Sequence, residues 1–232
     1  MSQDERFALV AGASSGMGYE ISQYLLDEGF TVFGISRSGC DIDDPQFINL
    51  EIDMRDEESI AIIKDTLDED VFGLSVVVNC LGVFDMIAID DMDSETMMDH
   101  LQTHVLGAFH LLKASRDFLL EGETHFIHLS SLVSTKGVSN LSAYSASKAA
   151  LERLIESCRE EWSGEGVRFS TLVPGAVNTP LWDNLSEYAD DFNRSEMLGM
   201  NDLLHVFDMV IKSPPTMHFP RLTFAHRDGV LG

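Results

Sequence analysis

Tyr144 and Lys148 stand four residues apart in LSAYSASKAALERLIESC, where apolar positions recur every three or four residues. The spacing predicts a helix carrying a phenol and an ammonium on one face, about one turn apart. A phenol titrates at about 10 in isolation, and a neighbouring ammonium favours the phenolate, bringing the group toward the working pH. Tyr144 is so placed to give a proton to a carbonyl oxygen and to take it back in the reverse direction. Ser131 stands thirteen residues upstream, at the end of an apolar run. Taken alone, YxxxK also describes an ordinary helix with a half-exposed Tyr and a solvated Lys, so the surrounding motifs must decide.

The first of these is a turn. Residues 7–11 (FALVA) read as a strand, and Gly12-Ala13-Ser14-Ser15-Gly16-Met17-Gly18 follows directly, with a helical pattern after it. Glycines where a strand turns into a helix let a pyrophosphate approach the unpaired amides of the helix start, so this segment is a candidate dinucleotide cradle. Its spacing is GxxxGxG, not GxGxxG, and a tight turn without a ligand is the alternative. The second strand ends at Ser36-Arg37, without the acidic residue that holds the ribose diol of NAD. Ser plus Arg can hydrogen-bond and neutralise a 2′-phosphate, which favours NADP(H).

These groups need a scaffold, and the rest of the chain predicts one. Apolar runs at 7–11, 31–35, 47–52, 74–78, 125–130, 167–173 and 221–224 alternate with amphipathic segments at 17–28, 57–68, 94–119, 143–163 and 201–212. That alternation predicts a single α/β domain over residues 1–232. Its architecture is a Rossmann fold, a doubly wound, mostly parallel seven-stranded sheet with helices on both faces. Residues 180–200 fit neither period and are expected to form a substrate lid beyond the carboxyl ends of the strands.

Together these motifs make the sequence similar to the short-chain dehydrogenase/reductase family, from residue 7 to about residue 180 and more loosely to the C-terminus. Ser131, Tyr144 and Lys148 match its Ser…YxxxK signature, Asn79-Cys80-Leu81-Gly82 resembles its NNAG turn, and Pro174-Gly175-Ala176-Val177-Asn178-Thr179 resembles its PGxxxT segment. The resemblance implies cofactor contacts from Asp53 and Met54 near the adenine, from Asn79 and Gly82, and from Pro174, Gly175, Val177 and Thr179 near the carboxamide. It also implies that Lys148 hydrogen-bonds the nicotinamide ribose while the cofactor supplies the hydride. His104 stands three residues before Gly107, where many members carry an Asn that holds a water relaying protons from the lysine. An imidazole can bind water or shuttle a proton near neutrality, so His104 joins the candidate catalytic residues. The family's pairing of long helices further implies a homodimer or homotetramer built on 94–119 and 143–163.

Composition narrows the partners. Fifteen Lys and Arg against 39 Asp and Glu give a net charge of −24, with only five Lys, which argues against nucleic acid and anionic membranes. No apolar stretch is long enough to span a bilayer, and three scattered Cys fit neither a disulfide framework nor a CxxC metal site, so a cytoplasmic protein without metal is expected. The expected activity is NADP(H)-dependent interconversion of a small-molecule carbonyl compound and a secondary alcohol. The alternatives are a cofactor-binding regulator or scaffold with little catalysis and an NAD(H)-preferring dehydrogenase.

Overall fold

Side chains along a strand alternate between its two faces, and this period of two builds the layers of the molecule. In β1 (Arg6–Ala11), Leu9 and Ala11 enter one apolar layer, while Ala8 and Val10 enter the other. The computed structural model describes residues 5–68, 71–120, 123–184 and 193–229. After β1 come α1 (Gly16–Asp27), β2 (Phe30–Ser36), β3 (Phe47–Glu51), α2 (Ser59–Asp68) and β4 (Leu74–Asn79). The chain continues through α3 (Ser94–Leu101), α4 (Gly107–Ser115), β5 (His125–Leu129), α5 (Ser142–Glu161), β6 (Arg168–Pro174), α6 (Met200–Ile211) and β7 (Arg221–Phe224). All seven expected strands are present, their ends within two residues of the sequence assignment.

The strand order is β3-β2-β1-β4-β5-β6-β7, and every neighbouring pair is parallel. Ile21 and Leu25 of α1 pack with Leu203 and Phe207 of α6 on one face. Ile63 of α2, Leu111 of α4 and Leu151 of α5 cover the other. Because both faces are covered, the central strands are apolar throughout. The chain runs outward from β1 to β3 and then returns to β4, so a crevice opens between β1 and β4 at their carboxyl ends.

The helical run expected over 94–119 is present, but its winding changes within it. A π-helical segment, Gln102–Leu106, separates α3 from α4, and the Gly107 N–H bonds the carbonyl of Gln102, five residues back. A short 3-10 turn, Arg116–Phe118, ends the run. Hydrophobic periodicity does not register one wide turn, so the sequence reads as a single helix. Of the expected lid, residues 185–192 lie outside the described residues. Its flanks form 3-10 turns at Pro180–Asn184 and Arg194–Glu196, and Val177 bridges Leu198. Among the described residues, no helix is long and apolar enough to cross a membrane.

Candidate active site

The crevice at the β1/β4 switch holds a cavity of about 300 Å³. Gly12 shapes its floor at φ +86°, and a Cβ there would stand 2.7 Å from the Cys80 carbonyl oxygen. Gly18 is still tighter, since a Cβ would lie 2.1 Å from the Gly12 carbonyl oxygen. Only glycine fits either position. Ser15 caps α1 through its backbone alone, its hydroxyl making no cap bond, so the first-turn amides are not taken by that side chain. Around the cavity the fold gathers Gly12, Ser14, Ser15, Gly16, Met17, Gly18, Ser36, Arg37, Asp53, Met54, Gly82, Tyr144, Lys148 and Thr179.

Other expected cofactor residues lie elsewhere. Asn79 is fully buried and does not line the cleft: its Oδ1 accepts from the Leu81 N–H at 3.2 Å, and its Nδ2 lies 3.4 Å from His128 Nδ1. It braces the turn that presents Gly82. Pro174, Gly175 and Val177 line a second cavity of about 60 Å³, together with Ser131.

Tyr144 lines both cavities, with Lys148 on the side of the larger and Ser131 on the side of the smaller. Ser131 is fixed as the N-cap of a 3-10 turn, Leu132–Ser134. Lys148, one turn beyond Tyr144 on α5, is buried with its Nζ 3.3 Å from the Leu129 carbonyl oxygen and 5.8 Å from the centre of the Tyr144 ring. The titration of the pair corrects the sequence expectation. Burial pushes the Tyr144 phenol up to about 12, with the Ser131 side chain pulling the other way. Burial also brings the Lys148 ammonium down to about 8, against the pull of Cys80 and Glu152. Desolvation, which spacing alone does not reveal, is the largest influence on the phenol, opposed by the Ser131 side chain.

The structure also fixes the surroundings of His104. The π turn points its ring inward, where Nε2 accepts the Val83 N–H at 3.1 Å and Nδ1 lies 2.8 Å from Ser147 Oγ. Accepting at Nε2 places the ring proton on Nδ1, which donates to Ser147. Burial, followed by the charge of Lys148, holds the imidazole well below its ordinary pKa. Both ring nitrogens are thereby engaged with protein groups. The ring ties the loop after β4 to α5, with its edge toward Tyr144 at a centroid distance of 5.5 Å.

The cleft also contains a residue that sequence reasoning missed. Arg55 lines the cleft and is gripped by two carboxylates, with NH2 2.6 Å from Asp53 and NH1 2.7 Å from Asp99. The Arg55 hydrogen bonds hold the Asp53 carboxyl below its usual range. Its place two residues after Asp53 was the available signal. Ser36 has a buried hydroxyl without a hydrogen-bond partner, and Arg37 makes no ion pair among the described residues. Glu152, also missed, lies one turn beyond Lys148 with its carboxylate buried. It accepts from the hydroxyls of Ser130 and Ser134, and its other oxygen lies 3.5 Å from Arg221 Nε.

An all-parallel doubly wound sheet with a glycine turn at its switch point defines the Rossmann class of α/β proteins. Residues 6–190 match the short chain dehydrogenase family, and the chain belongs to it. It is 32% identical to an uncharacterized oxidoreductase of Myxococcus xanthus over 186 residues, 76% of this chain and 74% of that one. It is 27% identical to carbonyl reductase family member 4 of Danio rerio over 191 residues, covering 79% and 81% of the two chains. The fold matches an alcohol dehydrogenase from the archaeon Thermococcus sibiricus, solved with 5-hydroxy-NADP, at a TM-score of 0.82 and 20% identity, covering 97% and 98% of the chains.

Proposed function

We propose that this protein is an NADP(H)-dependent oxidoreductase that interconverts a carbonyl compound and a secondary alcohol. The observation that carries the reading is the place of Tyr144 at the wall between two cavities, Lys148 on one side and Ser131 on the other. The larger cavity suits a dinucleotide: Gly12 and Gly18 leave no room for a side chain along its glycine turn. Buried and without a partner, the Ser36 hydroxyl beside Arg37 fits the 2′-phosphate of NADP(H) better than the bare diol of NAD(H). When bound there, the nicotinamide supplies or accepts the hydride.

The chain's own residues handle the proton and the charge. In reduction the Tyr144 hydroxyl donates to the carbonyl oxygen, and at about 12 it is reliably protonated at neutral pH. Ser131 donates a hydrogen bond to the same oxygen as charge builds there. Lys148, charged below about 8, favours the phenolate left after transfer and lies on the wall where a nicotinamide ribose fits. His104 positions this group from behind and exchanges no proton.

The fold and family also fit a homo-oligomer, since Leu106 and Phe109 are exposed on the outer side of the α3–α4 run. Light scattering that finds a monomer at working concentration removes that part of the proposal. The activity itself is tested by following NADPH absorbance with a panel of ketones, aldehydes and quinones. Consumption with some member of the panel is expected, and consumption with none across the pH range contradicts the reading.

A further inference from the structure

We infer that the substrate is a small, uncharged, apolar carbonyl compound or its alcohol, and that the site discriminates against carboxylates, phosphates and amines. This rests on the oxidoreductase reading above and goes beyond it to the substrate class. The cavity on the Ser131 side of Tyr144 is about 60 Å³, far below the roughly 300–1,000 Å³ typical of drug-sized ligands.

Its walls are apolar and aromatic. Phe84 meets the Tyr144 ring edge to face at 4.9 Å and the Trp182 ring at 5.3 Å, forming a continuous aromatic side. Leu132, Val133 and Leu141 close the opposite side. The Trp182 indole N–H is turned to its own backbone, donating to the Val177 carbonyl at 2.8 Å. Among the described lining residues no side chain carries a formal charge, and Ser131 and Tyr144 converge on the position of the reacting oxygen.

The flanking sequence adds to this. Among the described residues flanking this cavity, the cation Arg194 has its guanidinium bound to Asp183 and Asn178. A substrate carboxylate or phosphate would meet no positive charge on this wall. An ammonium would lose its hydration inside a wall that offers no carboxylate. Burying either charge unpaired carries a large penalty, whereas a ketone needs only the two hydrogen bonds that are present.

The test uses the full chain with NADPH and two matched pairs of probes. Butanone and aminoacetone share a shape and differ by an ammonium; 2,4-pentanedione and acetoacetate differ by a carboxylate. The expected result is a kcat/KM at least about 100-fold higher for the neutral member of each pair. A charged member used as well as its neutral partner overturns the inference while leaving the oxidoreductase reading intact. Oxidation of NADPH with none of the four, alongside turnover of a larger carbonyl compound, overturns the size assignment alone, and no turnover of any carbonyl compound removes both. Leu132→Arg, which places a cation on the wall, is expected to narrow the acetoacetate deficit at least tenfold. Should that variant fail to fold, the wild-type comparison decides by itself.

Discussion

The Nδ1 of His104 lies 2.8 Å from the Oγ of Ser147, which in turn donates to the Tyr144 carbonyl at 3.0 Å, so a neutral imidazole is built into the frame of the phenol. Because burial holds His104 well below its ordinary pKa of about 6.5, the unfolded chain binds the extra proton. The contribution to stability is therefore complete above that pH and is lost as pH falls below it. His125, brought down to about 3, and His128, also lowered by burial, act in the same direction. Urea unfolding between pH 7 and 5 should show stability falling with pH. In His104→Asn the slope should flatten by about 1.4 kcal/mol per pH unit. An unchanged slope contradicts the neutral brace.

Replacing Tyr144 by Phe removes the proposed proton donor and leaves the ring that packs against Phe84. The loss of kcat/KM is expected to be about 1,000-fold, within the usual range for a general acid. NADPH affinity by fluorescence titration should be unchanged, because the hydroxyl acts on the substrate. Retained turnover would point to another acid.

On the proposed mechanism, the ammonium of Lys148 should give the rate a basic limb. It loses its proton as pH rises through about 8, while the phenol, near 12, remains protonated. kcat/KM for reduction should thus be level below about pH 8 and fall above it. Lys148→Arg, whose guanidinium stays charged, should remove that limb even if overall activity drops. A limb that persists in the arginine variant assigns it to a different group.

Why some of this was legible in the sequence and some was not has a physical basis. The glycine turn, the Ser–Tyr–Lys spacing and the strand–helix alternation are local, since each follows from near neighbours and periods of 2 or 3.6. What escaped depends on distant packing. The π turn is one hydrogen bond shifted within an unbroken apolar pattern. The engagement of His104 depends on Val83 and Ser147, 21 and 43 residues away. Tyr144 rises because neighbouring elements exclude water, which no spacing on its own helix conveys. Asn79 sits at the expected turn but faces His128 across the sheet, a pairing set by the β4–β5 register.

The proposed preference for NADP(H) rests on Arg37. This residue lines the cleft beside the unpartnered Ser36 hydroxyl, and a hydrogen bond to a charged phosphate is worth about 1.5–3 kcal/mol. Arg37→Ala should weaken NADPH about 10- to 150-fold and leave NADH within a few-fold of wild type. Equal affinities for the two cofactors in the unmodified protein would instead support the NAD(H) alternative.

Glu152 ties the Ser130–Ser134 turn to the edge of the sheet. Its buried carboxylate receives the hydroxyls of Ser130 and Ser134, which bracket Ser131, and meets Arg221 of β7 at 3.5 Å. On α5 it is also one turn beyond Lys148, and its charge raises the lysine's pKa. Glu152→Gln keeps an acceptor for the serines but removes the charge, so Lys148 should lose its proton more readily and the basic limb should move to lower pH. A role confined to packing would lower activity or stability and leave the limb in place. Arg221→Met separates the two effects: it removes the partner of the carboxylate without removing the carboxylate, and should not shift the limb downward. If both variants shift it equally, loosening of the Ser130–Ser134 turn, and not the charge of Glu152, sets the titration.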